Sequence, residues 1–277
     1  MLKNTFCHIP GVSCRLEEQL WTAGFRCWDA FQQQPVPLFT PARNQAATEC
    51  LVESRYHLEC SNPLYFCKLL PVRLHWRLFP SFRYTVAYLD IETTGLSRSG
   101  NIITTIALYD GRNIRHYVHG KNLEAFKEDI QRYQLLVTYN GKGFDVPFIE
   151  SCLKISMPQA HIDLMHLLRS LGFKGGLKGC EKQLGLERGG LEGVDGYFAV
   201  LLWRDYQDNG NVKALETLLA YNIEDVVNLE TLMIAAYNLK LEETPFSDIH
   251  TLPIPVRPEI PFTADSATIE RLRMCYS

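Results

Sequence analysis

Hydrophobic and polar residues alternate with clear periods over residues 81–241. Runs rich in β-branched and aromatic residues predict strands over 84–90, 101–110, 113–119, 135–139 and 161–163. Apolar residues at helical spacing predict helices, the first capped by Asn122, over 123–133, 146–153, 164–171, 176–184, 197–207 and 212–239. Three strands in a meander, followed by alternating strands and helices, indicate an α/β fold with a mixed sheet and helices on both faces.

The predicted sheet region is flanked by two segments of different composition. Residues 1–80 are rich in cysteine, proline and aromatic residues, and the stretch 8–24 looks like half of a helix-hairpin-helix. Its Pro-Gly turn either presents backbone amides to a phosphate or belongs to a packed helical pair without a ligand. Residues 242–277 are punctuated by prolines, which predicts an extended tail ending in a short amphipathic stretch. We therefore divide the chain into 1–80, 81–241 and 242–277.

Composition narrows the class of protein. Hydrophobic residues make up 46% and charged residues 21% of the 277 residues, as in ordinary globular proteins. No apolar run approaches the roughly 18 residues of a membrane helix, and the first ten residues lack a secretory h-region. We therefore expect no membrane partner and a cytoplasmic location. Nine cysteines without a CxxC pair argue against a disulfide framework and a zinc knuckle, and favour free thiols.

Two acidic residues, Asp90 and Glu92, stand at alternate positions near the end of the first predicted strand. Side chains alternate along a strand, so both carboxylates point to one face while Ile91 points to the core between them. Adjacent carboxylates repel each other without a cation, which indicates a hard divalent ion such as Mg²⁺ or Mn²⁺. The alternative is a pair of solvated acids at a strand end.

Two further acids occupy positions from which they can join this pair. Asp145 follows a predicted strand and a glycine-containing loop, where it either binds metal or is the N-cap of the next helix. Asp225 lies four residues after Tyr221 on the long predicted helix, so their side chains share one helix face. A tyrosine hydroxyl there can orient an attacking water. The alternative is a surface acid beside a half-buried tyrosine.

The order of these residues resembles the DEDD exonuclease superfamily, which has a ribonuclease-H-like fold. Its three motifs are matched in order, the last in its tyrosine variant, by Asp90-Ile-Glu92, Asn140 to Asp145 and Tyr221-x-x-x-Asp225. The histidine variant would need histidine at position 220, where this chain has alanine. The chain is more closely similar to the YprB-like ribonuclease-H-like exonuclease family over about residues 70–240. This similarity includes the stretches 75–80, 161–167, 176–187 and 221–229.

The resemblance implies a metal-dependent 3′→5′ exonuclease that hydrolyses phosphodiester bonds of single-stranded DNA or RNA with two Mg²⁺ or Mn²⁺ ions. It implies that Asp90 bridges both ions and that Glu92 and Asp225 complete one metal site. Asp145 holds the second ion, partly through water. Tyr221 positions the attacking water or hydroxide.

Three polar residues are candidates for binding the substrate. On the resemblance, Thr93 and Asn140 contact the terminal nucleotide. Lys178 lies in a glycine-rich basic loop over 174–182, which either guides a nucleic-acid strand or is a plain solvated loop. The net charge of −3 is unusual for a nucleic-acid-binding protein, although cation-binding carboxylates and a local basic groove offset this objection.

Two other functions fit the same residues. One is a structure-selective endonuclease on the same fold, and the other is a non-catalytic nucleic-acid-binding protein. The presence of all four carboxylates together with Tyr221 favours an enzyme. No feature of the sequence distinguishes DNA from RNA, and none indicates a protein partner.

Overall fold

A five-stranded mixed sheet lies at the centre of the structure, a computed structural model that describes residues 1–276. Its strands are β1 (Val86–Thr93), β2 (Ile103–Tyr109), β3 (Ile114–Val118), β4 (Leu135–Thr138) and β5 (Ala160–Asp163). They lie in the order β3-β2-β1-β4-β5. β2 is antiparallel to both β1 and β3, whereas β4 is parallel to both β1 and β5. The mixed sheet predicted from the sequence is confirmed.

The α-helices lie before, between and after the strands. Within the described residues they are α1 (Cys14–Thr22), α2 (Trp28–Gln33), α3 (Pro41–Glu59), α4 (Pro63–Leu69), α5 (Phe79–Phe82), α6 (Phe126–Asp129), α7 (Asp145–Leu153), α8 (Leu164–Ser170), α9 (Gly176–Gln183), α10 (Gly196–Asn209), α11 (Val212–Glu242), α12 (Ser247–His250) and α13 (Ser266–Tyr276). The longest, α11, packs against β1 and β2.

Both faces of the sheet are covered, so its strands are apolar on both sides. Tyr88 of β1 lies in one hydrophobic cluster with Val226 of α11. The next residue, Leu89, lies in a separate cluster with Phe126 of α6 and Phe148 of α7. Because side chains alternate along β1, this arrangement puts α11 on one face and α6 and α7 on the other. The polar end of β1 therefore meets α11.

Two local predictions differ from the structure. The first strand begins at Val86 and extends to Thr93, because residues Arg83–Thr85 form a 3-10 turn. The single helix predicted over 123–133 is wrong, since α6 is one turn long and has a short 3-10 segment on each side. Asn122 does not cap it. Its Oδ1 instead accepts a hydrogen bond from the Val118 N–H at 2.8 Å.

Residues 1–80 pack onto the same hydrophobic cluster as α11. A buried ion pair fixes this region, because the Arg77 guanidinium donates to Glu17 Oε2 at 2.6 Å. The other oxygen, Glu17 Oε1, accepts the N–H of Phe6 at 2.6 Å. The turn that looks like a helix-hairpin-helix is followed by α1 and preceded by one 3-10 turn (Leu2–Asn4). The first arm of that motif is therefore a single turn.

The C-terminal region runs back over the α10–α11 pair. Residues 251–265 have neither helix nor strand, as predicted for the proline-rich tail. Arg257 from this stretch forms an ion pair with Glu224 of α11. After it, α13 adds Ile269 and Leu272 to a cluster formed with α10 and α11. No helix in the described residues is long and apolar enough to cross a membrane.

Candidate metal centre

Three of the four predicted carboxylates converge at the end of β1. Asp90 and Glu92 point to the same face of the strand, as their alternate positions require. Asp225 reaches them from α11, which crosses that face. One oxygen of each lies within 4.8 Å of the other two. Oxygen donors at this spacing suit a hard divalent cation.

Asp145 approaches the same strand from the loop after β4. It is the first residue of α7 and is buried, and its Oδ1 accepts the Ile91 N–H at 3.2 Å. It does not belong to the triple of converging oxygens among the described residues. Because Ile91 lies between Asp90 and Glu92 on β1, this hydrogen bond makes Asp145 a neighbour of the cluster.

The electrostatics of the centre show strong mutual repulsion. Burial, followed by the charge of Asp225, raises the pKa of Asp90 and of Glu92 well above the ordinary range. Burial raises the pKa of Asp145 to about 7, although hydrogen bonds from backbone N–H groups oppose the rise. Burial also raises the pKa of Asp225 to about 6, opposed chiefly by the positive charge of Arg188. A bound cation would relieve this repulsion, so the residues fit a metal.

Arg188 is the resident counter-ion of this centre, and sequence reasoning missed it. Its guanidinium pairs with Asp225 Oδ1 and also makes a bidentate pair with Glu181, with distances of 2.6 and 2.7 Å. Glu181 Oε1 in turn accepts a hydrogen bond from Asn228 Nδ2 at 2.9 Å. Arg188 follows α9 in a segment without a regular hydrophobic period, so no pattern in the sequence indicates this pairing.

Asn222 fixes the orientation of Asp90. Its Nδ2 donates to Asp90 Oδ2 at 2.7 Å, and its Oδ1 accepts the Thr105 hydroxyl at 2.9 Å. Both Asn222 and Thr105 are fully buried. The signal available in the sequence was an amide in the apolar stretch of α11, directly after Tyr221. A buried amide requires partners, so a role in positioning was open to inference.

Tyr221 lies beside the carboxylates and two cations. Its side chain is buried, and burial followed by the charge of Asp225 raises the pKa of its hydroxyl. The Lys178 ammonium lies 4.7 Å and the Arg188 guanidinium 5.7 Å from the centroid of its ring. Lys178 donates to the Val194 carbonyl, and burial lowers its pKa. The Lys178 side chain therefore contacts the protein, whereas the side chain of a lysine in a plain solvated loop would point into water.

The other two predicted substrate residues have local structural partners. The Thr93 hydroxyl donates to the Gly95 carbonyl at 2.8 Å. Asn140 has a left-handed backbone with φ of 63°, and its N–H donates to Asp163 Oδ1 at 2.8 Å. The same Asp163 caps α8, where its side chain accepts the Met165 N–H. Asn140 thus begins the loop that delivers Asp145, while nucleotide contacts by Thr93 and Asn140 stay predictions.

Comparison with known proteins places this geometry in a family. The uncharacterized protein YprB of Bacillus subtilis (strain 168) is 29% identical over 169 residues, which cover 53% of this chain and 40% of YprB. The family B DNA polymerase of the hyperthermophilic archaeon Pyrobaculum calidifontis has 15% identity and a TM-score of 0.45, over 61% of this chain and 27% of the polymerase. The RNase_H superfamily matches residues 87–237, more than half of the chain. The chain is similar to YprB over less than half of YprB's length, and it belongs to the RNase_H superfamily.

Proposed function

We propose that this protein is a metal-dependent nuclease, specifically a 3′→5′ exonuclease acting on single-stranded DNA or RNA. The observation that carries the proposal is the convergence of Asp90, Glu92 and Asp225 within 4.8 Å. Membership of the RNase_H superfamily supports nuclease chemistry at this position of the sheet. The exonuclease direction is supported by the likeness of the three motifs to the tyrosine variant of the DEDD exonucleases.

The four carboxylates would hold two Mg²⁺ or Mn²⁺ ions, with Asp145 serving the second. When bound, such ions neutralise charge on the phosphate and lower the pKa of an attacking water. Asn222 holds Asp90 in one orientation through a hydrogen bond of 2.7 Å. This fixes one donor oxygen before any ion binds, which is the usual role of a partner behind a metal ligand.

Tyr221 is the residue that orients water in this proposal. Because the pKa of its hydroxyl is raised, it stays protonated at neutral pH and keeps both a donor and an acceptor. Lys178 and Arg188 lie against its ring and supply positive charge close to the carboxylates. Such charge favours the approach of a phosphate once the carboxylates are neutralised. Thr93, Asn140 and Lys178 are our candidates for contacts to the terminal nucleotide.

The organisation of the chain follows from the same proposal. Residues 81–241 are the proposed catalytic unit, with 1–80 and 242–277 as flanking segments. All nine cysteines are free thiols, which fits the cytoplasmic location that we propose.

The test is a cleavage assay with 3′-labelled and 5′-labelled single-stranded DNA and RNA, with Mg²⁺, Mn²⁺ or EDTA. We expect metal-dependent removal of single nucleotides from the 3′ end and no cleavage of circular or 3′-blocked strands. Asp90→Asn should reduce the rate ~10³-fold or more, while Asp208→Asn, at an exposed position of α10, should leave it unchanged. Cleavage of circular substrates would instead show an endonuclease. Absence of cleavage on every substrate would contradict nuclease activity.

A further inference from the structure

A cavity lies beside the loop 139–144, which contributes Lys142 to its lining. Its volume is about 320 Å³, within the range of pockets that hold small ligands. It lies at the end of β5, between α8 and the turn of residues Val72–Leu78. Neither the proposed chemistry nor the predicted motifs assign a role to this cavity.

The polar lining of this cavity carries a net positive charge. Arg73 and Lys142 both line it. Arg73 is exposed and touches the Cys14 thiol at 3.2 Å, and Lys142 has no ion pair among the described residues. Asp163 is the acidic residue among those lining residues that the structure describes, and three backbone N–H groups donate to it at 2.8 to 3.2 Å. Arg73 and Lys142 together exceed Asp163 by one positive charge in this lining.

Two histidines of the lining, His75 and His161, are buried and held in place. His161 Nε2 lies 2.8 Å from the Thr138 hydroxyl, and His75 Nε2 lies 3.1 Å from the Leu70 carbonyl. Burial lowers the pKa of His161 to about 3, so its ring is neutral. The fixed positive charge at the cavity comes from the lysine and the arginine, beside the exposed imidazole of His166. The shape of the site is set before a ligand arrives, which lowers the entropic cost of binding.

The other wall of the cavity is apolar. Val72, Trp76, Ile162 and Leu167 line it. A ligand that suits both walls has a planar, weakly polar part and an anionic part. A nucleoside phosphate has this combination, since a base can pack against apolar and aromatic side chains while the phosphate contacts cations.

We propose that this cavity binds a nucleotide, with its phosphate at Arg73 and Lys142 and its base against the wall that contains Trp76. The nucleotide is either free or part of a strand. That this protein itself releases such a nucleotide by cleaving nucleic acid rests on the function proposed above. The site is coupled to the carboxylates through the loop 139–144, because Asp163 accepts the N–H groups of both Asn140 and Lys142.

Isothermal titration calorimetry on the full chain in EDTA tests the proposal. EDTA removes divalent ions, so binding at the cavity is measured without the metal centre and without catalysis. The titrants are deoxyadenosine 5′-monophosphate, inorganic phosphate and a short single-stranded oligonucleotide. We expect the mononucleotide or the oligonucleotide to bind, and its affinity to fall about tenfold or more in Arg73→Ala/Lys142→Ala. The control Arg204→Ala/Lys3→Ala removes the same charges from exposed positions outside the cavity lining and should bind like the wild type.

The arms of the titration separate the two sources of the ligand. Binding of the mononucleotide identifies a free nucleotide, whereas binding of the oligonucleotide alone identifies a strand. Equal affinity for inorganic phosphate, equal loss in the control, or no binding of any nucleotide overturns the proposal. Failure of the cleavage assay would overturn the nuclease and leave this binding result intact, so the two proposals fail separately.

Discussion

Removal of the Arg188 side chain tests whether it is the resident counter-ion of the carboxylate centre. The exposed fractions of the three side chains are 7% for Arg188, 6% for Asp225 and 1% for Glu181. Arg188→Ala therefore leaves two buried carboxylates without their partner. Breaking a buried ion pair in this way costs about 3–5 kcal/mol. At about 2–4 °C for each kcal/mol, the melting temperature should fall by about 10 °C.

Thermal unfolding followed by circular dichroism in EDTA measures this loss. The control is Arg132→Ala, because Arg132 pairs with Asp129 at 3.1 Å but is 62% exposed. A surface pair of this kind contributes about 0–1 kcal/mol, so the control should melt close to the wild type. A melting temperature of Arg188→Ala equal to that of the control would refute the role of the buried pair.

Repeating the measurement with Mn²⁺ distinguishes the contribution of Asp225 to stability from that of Glu181. Metal binding stabilises the folded state, and in Arg188→Ala it should raise the melting temperature by more than in the wild type, because Asp225 has lost its competing cation. Glu181 is not one of the three converging acids among the described residues, so we expect it to gain less from the metal. Arg188→Met/Glu181→Gln should therefore recover part of the stability lost in Arg188→Ala. The same metal-induced rise in both proteins would show that Arg188 does not compete with metal.

Three further outcomes follow from the centre and its loop. Asn222→Ala should weaken Mn²⁺ binding about tenfold to a hundredfold in calorimetry, because a metal ligand loses its orienting partner; unchanged affinity would exclude this role. Gly141→Ala should lower the cleavage rate and the melting temperature, because the new Cβ would lie 2.3 Å from the Thr138 hydroxyl oxygen. The control is Gly143→Ala, whose Cβ would lie 3.3 Å from the nearest atom, so this variant should be affected much less. Metal-free protein should melt at a higher temperature at pH 5 than at pH 8. Folding raises the pKa of Asp145 to about 7 and of Asp225 to about 6, so their contribution to stability is present below the unfolded value of about 4 and is lost as pH rises through 6–7. Mn²⁺ should reduce this loss, and Asp145→Asn in EDTA should flatten the pH dependence; an equally steep slope in that variant would contradict the assignment.

Periodicity made the sheet and most of the carboxylate cluster predictable. A period of two places Asp90 and Glu92 on one face, and the 3.6-residue period of α11 turns Asp225 towards the sheet side. Both follow from local backbone geometry, which the order of residues encodes directly. The convergence itself depends on how α11 crosses β1, and only the similarity of the motifs pointed to it.

The features that the sequence did not reveal depend on tertiary contacts or on small energy differences. Arg188 meets Glu181 and Asp225 across three separate segments, so no spacing rule connects them. The segment 123–132 places Leu123, Phe126 and Ile130 in the core at spacings of three and four residues, and a spacing of three suits both α and 3-10 turns. Local packing and hydrogen bonds decide between these two helix types, and hydrophobic spacing does not report on either.

The hydrophobic cluster shared by residues 1–80 and α11 has a consequence for biosynthesis. Phe6 and Trp28 are fully buried there, in one cluster with residues of α11 that lie about 200 positions later in the chain. At a translation rate of about 5–20 residues per second, roughly 10–40 s separate the emergence of these two parts from the ribosome. During that interval the aromatic side chains of the nascent N-terminal segment lack their final cover. Chaperones that hold nascent chains should therefore bind this segment until α11 has been synthesised.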